Sequence, residues 1–324
     1  MTSVLVFRDG VTRQADAVDP AWLTDEAPEV IWVDIQGPGE ADRKLLSETF
    51  HFHELAVEDA LAESHHPKIE PYERFLYLIL HGIVAAKSSK DHKCFETHDV
   101  DFFLGRNYLV TVHHYSSRSI AEEQEVLLRH GTRLGEGPAS LLHHIVDRMV
   151  DHYSPEVDNL EDRLEAIEHD VFAEGRRNPL KRILALKSDI ATLRRVTLPQ
   201  RDVVSRLARR EFVQISDALS YRFRDVYDHL VRLADESVFL QDRVTGLLDA
   251  HISTQSHRLN QVMKVLTVIA TIFMPLTVLT SMYGMNVPLP HLPGGEASQF
   301  WWILGMMLAS SVGMLWVFRR MDWL

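Results

Sequence analysis

Met263–Tyr283 (MKVLTVIATIFMPLTVLTSMY) and Phe300–Phe318 (FWWILGMMLASSVGMLWVF), with the turn Tyr283-Gly284-Met285-Asn286 between them, decide the fold of this chain. At 1.5 Å rise per residue, about 20 apolar residues cross a hydrocarbon core of roughly 30 Å. Each run is long enough, and the only charge in either is Lys264. Pro275 lies inside the first run. A membrane helix tolerates it because neighbours can satisfy the carbonyl it leaves free. Arg258 and Lys264 flank the first run and Arg319 and Arg320 follow the second, whereas the loop Asn286–Gln299 has no Lys or Arg. Cytoplasmic flanks collect positive charge, so the loop is expected outside and both termini in the cytosol. Trp301, Trp302 and Trp316 sit where interface anchors sit.

Over all 324 residues the mean hydropathy is −0.10, so most of the chain is not membrane-like. Lys+Arg 34 against Asp+Glu 46 gives −12. That balance argues against a nucleic-acid partner, which needs a basic surface, and favours cations. One cysteine, Cys94, rules out an intrachain disulfide framework and a cysteine-based zinc site. Met1–Gly10 has no basic stretch leading into an apolar one, so no secretory signal is expected.

Ser3–Phe7, Ile31–Ile35, Phe75–Val84, Val100–Leu104 and Tyr108–His113 read as strands. Ala41–Phe50, His53–Ala62 and Arg118–Arg129 read as helices. From Pro138 the pattern is helical. Leu160, Leu164, Ile167 and Val171 mark one apolar face, and Ile183, Leu186, Ile190 and Leu193 another, with Asn178-Pro179 as a cap between them. From Tyr221, the residues Leu230, Leu233, Leu240, Val244 and Leu247 follow a 3.5-residue seam, interrupted at Ser237 and His251. No stop signal precedes the first span, so one helix of about 60 residues is expected to run into the membrane.

The fold class expected is therefore α+β. Residues 1–135 form a cytosolic α/β domain, 136–220 a helical hairpin region, and 221–283 a long stalk helix that includes the first span at about 262–283. Residues 284–299 form an extracytoplasmic loop, 300–318 the second span and 319–324 a basic cytosolic tail. No nucleotide loop, nucleophile elbow or metal triad is spaced for catalysis, so no enzyme is expected.

Two spans cannot enclose a channel, so several copies around an axis are needed if ions pass. At 100° per residue, Asp249, Asn260, Met263, Thr267, Met274, Thr277 and Ser281 fall within about 100° of one another. Polar groups in membrane helices tend to face the bundle interior. The stripe has no carboxylate within the membrane, so an ion would meet amide, hydroxyl and backbone oxygens. That suits Mg²⁺, which keeps much of its water. Met263, Leu266 and Met274 offer an ion nothing and suit a dewetting gate. The plainer alternative is that the hydroxyls bond back to their own helix and the methionines fill gaps.

Asn260-Gln261-Val262-Met263-Lys264-Val265-Leu266-Thr267, Met274-Pro275-Leu276-Thr277, Tyr283-Gly284-Met285-Asn286 and the Trp-ending tail Arg319-Arg320-Met321-Asp322-Trp323 resemble the CorA family of divalent-cation transporters. Weaker likeness extends to Phe223–His229, Gly246–Asp249 and Val57–Leu61 before Pro67-Lys68, and least to residues 85–135. The resemblance implies a funnel-shaped homopentamer with the first span lining the pore, and an N-terminus without a targeting stretch favours a bacterial inner membrane over an organelle. It implies an outer mouth at Gly284-Met285-Asn286, with Asn286 holding a hydrated ion, and a polar ring at Asn260. It also implies regulatory divalent-ion sites between cytosolic domains, at positions matching Asp59 and Asp225, with Glu58 and Asp147 beside them. Mg²⁺ would be both cargo and regulator, with Co²⁺ or Ni²⁺ as further cargo. The 18 histidines, including His51 and His53, His65-His66, His113-His114 and His143-His144, keep a zinc transporter similar to the ZntB branch open. A non-conducting membrane sensor is the rival from another class. It would tolerate a bulky or charged replacement at Asn260, Gly284 or Asn286, and none is present.

Overall fold

The computed structural model describes residues 1–24, 26–63, 66–85, 95–172, 179–285, 296–321 and 323. The predicted residues Asn286, His65, Cys94 and Asn178 lie outside them. The chain divides into two compact units, Met1–Leu248 and Asp249–Leu324.

The first unit is built on a seven-stranded mixed sheet in the order β2-β1-β3-β7-β6-β5-β4. The strands are β1 (Thr2–Arg8), β2 (Val11–Ala15), β3 (Val30–Gln36), β4 (Lys68–Pro71), β5 (Leu76–Ala85), β6 (Phe95–Leu104) and β7 (Tyr108–His113). β3 and β7 pair in parallel at the centre, Ile31 opposite Tyr108, and the remaining pairs are antiparallel. Central placement suits VIWVDIQ and YLVTVH, which are apolar on both faces. The polar VTRQA and the short KIEP, ending in Pro71, take the edges. Gly105 is required in the β6–β7 turn, where a Cβ would collide with the Tyr108 ring.

Alternation sends two cores to opposite faces. Val33, Tyr77, Ile79, Phe103 and Val110 pack against the π-helical Leu45–Thr49, which follows α1 (Glu40–Lys44), and against α2 (Glu54–Leu61). The expected single helix 41–50 is thus α-helical and then widened, with Phe50 N–H donating to Leu45 C=O. The other face, with Trp32, Leu78, Leu80 and Phe102, belongs to a cluster that continues through α4 (Pro138–Asp151), α5 (Ser154–Phe172), α6 (Leu180–Ala208) and the start of α7 (Asp217–Tyr283). α3 (Arg118–Arg129) has the predicted bounds. The predicted apolar faces of α5 and α6 are buried in this cluster. Arg163 to Asp189 (2.9 Å), Arg243 to Glu168 (2.9 Å) and Arg194 to Gln241 (2.8 Å) link α5, α6 and α7. Ser237 does not break the seam of α7: it is buried and its hydroxyl donates to Ala234 C=O at 2.7 Å.

α7 begins at Asp217, a turn earlier than Tyr221, and is helical for 67 residues. In the second unit lie its last part and α8 (Glu296–Arg320). Among the described residues of the two apolar runs, only Val268 and Phe318 are buried. Trp323 stacks on Phe318 and lies under the Lys264 ammonium.

Candidate ion pathway and regulatory carboxylates

In the second unit the pore-lining candidates on α7 share an exposed face. Asp249, Asn260, Met263, Leu266, Thr267, Met274 and Thr277 are all exposed, Met274 at 72%. The hydroxyls of Thr267, Thr277 and Thr280 donate to Met263, Phe273 and Leu276 carbonyls at 2.8, 2.9 and 3.0 Å. Their hydrogens are therefore committed to the helix, and the oxygens keep lone pairs pointing outward, the half of the group a cation can use. Pro275 has no N–H to give to Thr271 C=O.

The helix ends at Tyr283. Gly284 N–H donates to Thr280 C=O at 2.9 Å, and a Cβ on Gly284 would sit 3.1 Å from that oxygen. Glycine thus lets the chain turn closely over the last helical carbonyls. Met285 is exposed.

The regulatory candidates separate into two groups in the first unit. Glu58 and Asp59 are on α2, whose buried Ala56, Val57 and Ala60 pack on one face of the sheet. Asp147 on α4 and Asp225 on α7 belong to the other face, beside Ile145, Val146, Phe223 and Val226. Asp147 is half-buried, and its carboxyl is pushed above the usual range, first by burial and then by the carboxylates of Asp151 and Asp225. His229 lies 3.9 Å from Asp151 and works against that rise. Asp225 and Glu58 are exposed. Asp59 is paired: Lys68 Nζ donates to its Oδ2 at 2.6 Å and to Glu70 Oε1 at 3.0 Å. Sequence reasoning missed Lys68, although it belongs to the Pro67-Lys68 stretch that carried the likeness.

Three of the histidines have other work. His113 is held between Asp34 (3.0 Å) and Tyr115 C=O (2.5 Å). His143 and His98 are buried, and burial lowers each to about 4. Among the described residues no three His, Cys, Asp or Glu side chains are grouped to hold a metal within one chain. A cleft of about 810 Å³ lined by Arg74, Arg106, Glu136 and Arg222 contains none of the predicted residues.

A mixed-sheet soluble unit and two uncovered helices long and apolar enough to span a bilayer define an integral membrane protein whose spanning face offers oxygens rather than catalytic groups. The sequence matches the family described as CorA-like Mg²⁺ transporter protein over residues 28–320, and the chain belongs to that family: it is a divalent-cation transporter, not an enzyme. It is 30% identical over 327 residues to the cobalt/magnesium transport protein CorA of Thermotoga maritima, covering 99% of this chain and 90% of that one. Its fold superposes on the complete structure of the CorA magnesium transporter from Methanocaldococcus jannaschii with a TM-score of 0.83, covering 100% of this chain and 99% of that one at 24% identity. A shorter likeness, 29% over 194 residues, covers 59% of this chain and 58% of the zinc transport protein ZntB of Pectobacterium carotovorum subsp. carotovorum.

Proposed function

We propose that the chain forms a homopentamer that conducts Mg²⁺ inward, with Co²⁺ or Ni²⁺ as further cargo, across a bacterial inner membrane, both termini cytosolic. The observation that carries this is the exposed face of α7. Asn260, Thr267 and Thr277 line it with neutral oxygens, Met263, Leu266 and Met274 interleave them, and only Val268 on this span is buried. Lipid suits the apolar sides of such a helix. It does not suit the amide, so copies meeting along this stripe satisfy both. Neutral oxygens hold a hydrated dication loosely enough to release it. Tyr283, Gly284, Met285 and Asn286 form the outer mouth in this reading, and a potential of 100 mV supplies about 4.6 kcal/mol to a dication.

Regulation follows from the two groups of carboxylates. Glu58 and Asp59 belong to the opposite face of the sheet from Asp147 and Asp225, so one chain cannot close a site from both. Neighbouring copies can. A dication between the Asp59 of one subunit and the Asp225 of the next would neutralise facing charges and hold the assembly shut. Its loss would leave like charges opposed and favour opening. The all-oxygen donor set suits Mg²⁺. A zinc reading would draw on the histidines, yet His113 is already engaged by Asp34 and Tyr115, and His98 and His143 are core residues.

The test is uptake into liposomes holding the purified protein under an inside-negative potential, comparing Mg²⁺, Co²⁺ and Zn²⁺. Mg²⁺ influx that disappears in Asn286→Ala is expected. Zn²⁺ influx without Mg²⁺ influx would move the cargo to zinc, and no flux of any ion at low internal Mg²⁺ would leave a sensor.

A further inference from the structure

The carboxylate that the proposed regulatory site needs is already occupied by a cation belonging to the same chain. Lys68 Nζ is 2.6 Å from Asp59 Oδ2 and 3.0 Å from Glu70 Oε1, and it lies 5.4 Å from the centre of the Tyr77 ring. The three side chains are only partly covered, at 31% (Lys68), 28% (Asp59) and 43% (Glu70) exposure, so ions can reach them. Lys68 is not placed loosely. β4 is pinned to β5, with Lys68 opposite Ile79 and Ile69 opposite Leu78, and Ile69 is buried. Asp59 is fixed by α2, whose Ala56, Val57 and Ala60 are buried. Two rigid elements thus hold ammonium and carboxylate at contact distance.

We infer that Lys68 is a tethered competitor for the divalent ion at Asp59: without the ion its ammonium fills the carboxylate, and a dication binds there by displacing it. The inference rests on the reading of Asp59 as a regulatory ligand given above. Its logic is that of a site only fractionally competent, in which apparent affinity falls by the fraction of time the carboxylate is free. A tethered competitor is present at a fixed effective concentration, so much of the threshold for closure is written into the chain.

The surroundings supply what such an exchange needs. A displaced ammonium is not stranded, because Glu70 and the Tyr77 face remain beside it. Glu70 is itself steadied by the Tyr72 hydroxyl, which donates to its other oxygen at 3.3 Å. The buried Asp101 is a poor substitute seat for the lysine, since burial raises its carboxyl well above the usual range and so disfavours the charge that would attract the ammonium. Lys68 therefore has two seats, one shared with the ion and one its own. The dication, with twice the charge and the neighbouring subunit's carboxylates to join, wins the shared seat once its concentration is high enough.

The alternative is a plain structural tie between α2 and β4. The two are separated by the sign of paired substitutions in the full chain, reconstituted in liposomes. The readouts are the internal Mg²⁺ concentration at half-closure of influx and, in parallel, the Mg²⁺ concentration at half-protection from chymotrypsin. Lys68→Met removes the competitor and should lower both concentrations by roughly 1.5- to fivefold, the range a partly exposed ion pair contributes. Lys68→Arg should stay near the parent. Glu70→Gln removes the lysine's own seat, leaves Asp59 as its only carboxylate, and should raise both concentrations. A structural tie would make Lys68→Met and Glu70→Gln shift in the same direction, and that result, or no shift in Lys68→Met, overturns the competitor. Asp59→Asn separates the two layers of the argument. If it leaves the Mg²⁺ response intact, Asp59 is no ligand and the regulatory reading itself fails. If it abolishes the response while Lys68→Met does nothing, only the competitor is lost.

Discussion

Two stretches of α7 carry similar residues to opposite ends. Leu230, Leu240 and Val244 in the first unit are fully buried, whereas Leu266, Phe273 and Met274 in the second are 58%, 62% and 72% exposed. One secondary structure and one class of side chain thus meet different solvents. The first stretch finds its cover within its own chain, in α5 and α6. The second buries only Val268 among the described residues, so membrane and further copies must supply the rest of its cover. Apolarity alone does not separate the two. The charged residues around each stretch do: Arg243 between Leu240 and Val244 reaches Glu161 and Glu168, while from Val265 to Tyr283 no charge occurs at all.

The comparison breaks most readily at Leu240. Leu240→Ala should cost the soluble unit about 2–5 kcal/mol, the range for an internal leucine that leaves a cavity. Leu266→Ala should leave the melting of that unit within about 0.5 kcal/mol of the parent. Thermal melts of both variants in detergent check this. Equal losses would mean that the two stretches are packed alike.

Next in size is Arg163→Ala. Asp189 is only 4% exposed and accepts from Arg163 at 2.9 Å, so removing the cation takes a charged hydrogen-bond partner from a covered carboxylate, at about 1–3 kcal/mol. The exposed pair Arg118–Glu122 has a similar distance, 2.8 Å, but Arg118→Ala should cost no more than about 1 kcal/mol. Denaturant titration of the two variants compares them.

Acid should act on the first unit in a defined window. His98 and His143 are held near 4 by burial, against an ordinary value of 6.5. Because the folded value is depressed, the unfolded chain takes up protons first as pH falls below 6.5, and stability is lost progressively down to about 4. Melting temperature measured across that interval should fall, and fall less in His98→Gln.

These contrasts also show what a one-dimensional reading can reach. Alternation gave Val100–Leu104 and Tyr108–His113 because both are apolar and central, and β6 extends that core strand back to Phe95. It could not reveal β2, where VTRQA buries nothing, or β4, where only Ile69 is buried and Pro71 ends the run. Edge strands are defined by the neighbour they pair with. The same limit hid the partner of Asp59. Lys68 follows nine positions later, yet it reaches Asp59 only because β4 folds antiparallel onto β5 beneath α2. The nearness of Asp147 to Asp225 likewise depends on α4 and α7 sharing one core. The spans were legible because a bilayer imposes length and composition on a single segment, with no partner to be guessed.

The smallest effect should come from Thr277→Val, which keeps the shape and removes one hydroxyl. Its hydrogen already goes to Phe273 C=O at 2.9 Å, a bond that a helix does without at little cost. Melting should therefore move by no more than about 0.5 kcal/mol. If the outward lone pairs are what a passing ion meets, Mg²⁺ influx should nonetheless fall by a factor of a few, while the Mg²⁺ concentration at half-closure stays where it was, because the carboxylates proposed to set it lie in the other unit. Thr280→Val makes the control. Its angular position, 60° beyond the far edge of the stripe, places its hydroxyl off the proposed ion path, though it too bonds back, to Leu276 C=O at 3.0 Å. Loss of influx in both variants alike would mean that the hydroxyls act through the helix rather than through the ion, and the stripe would then have no privileged face.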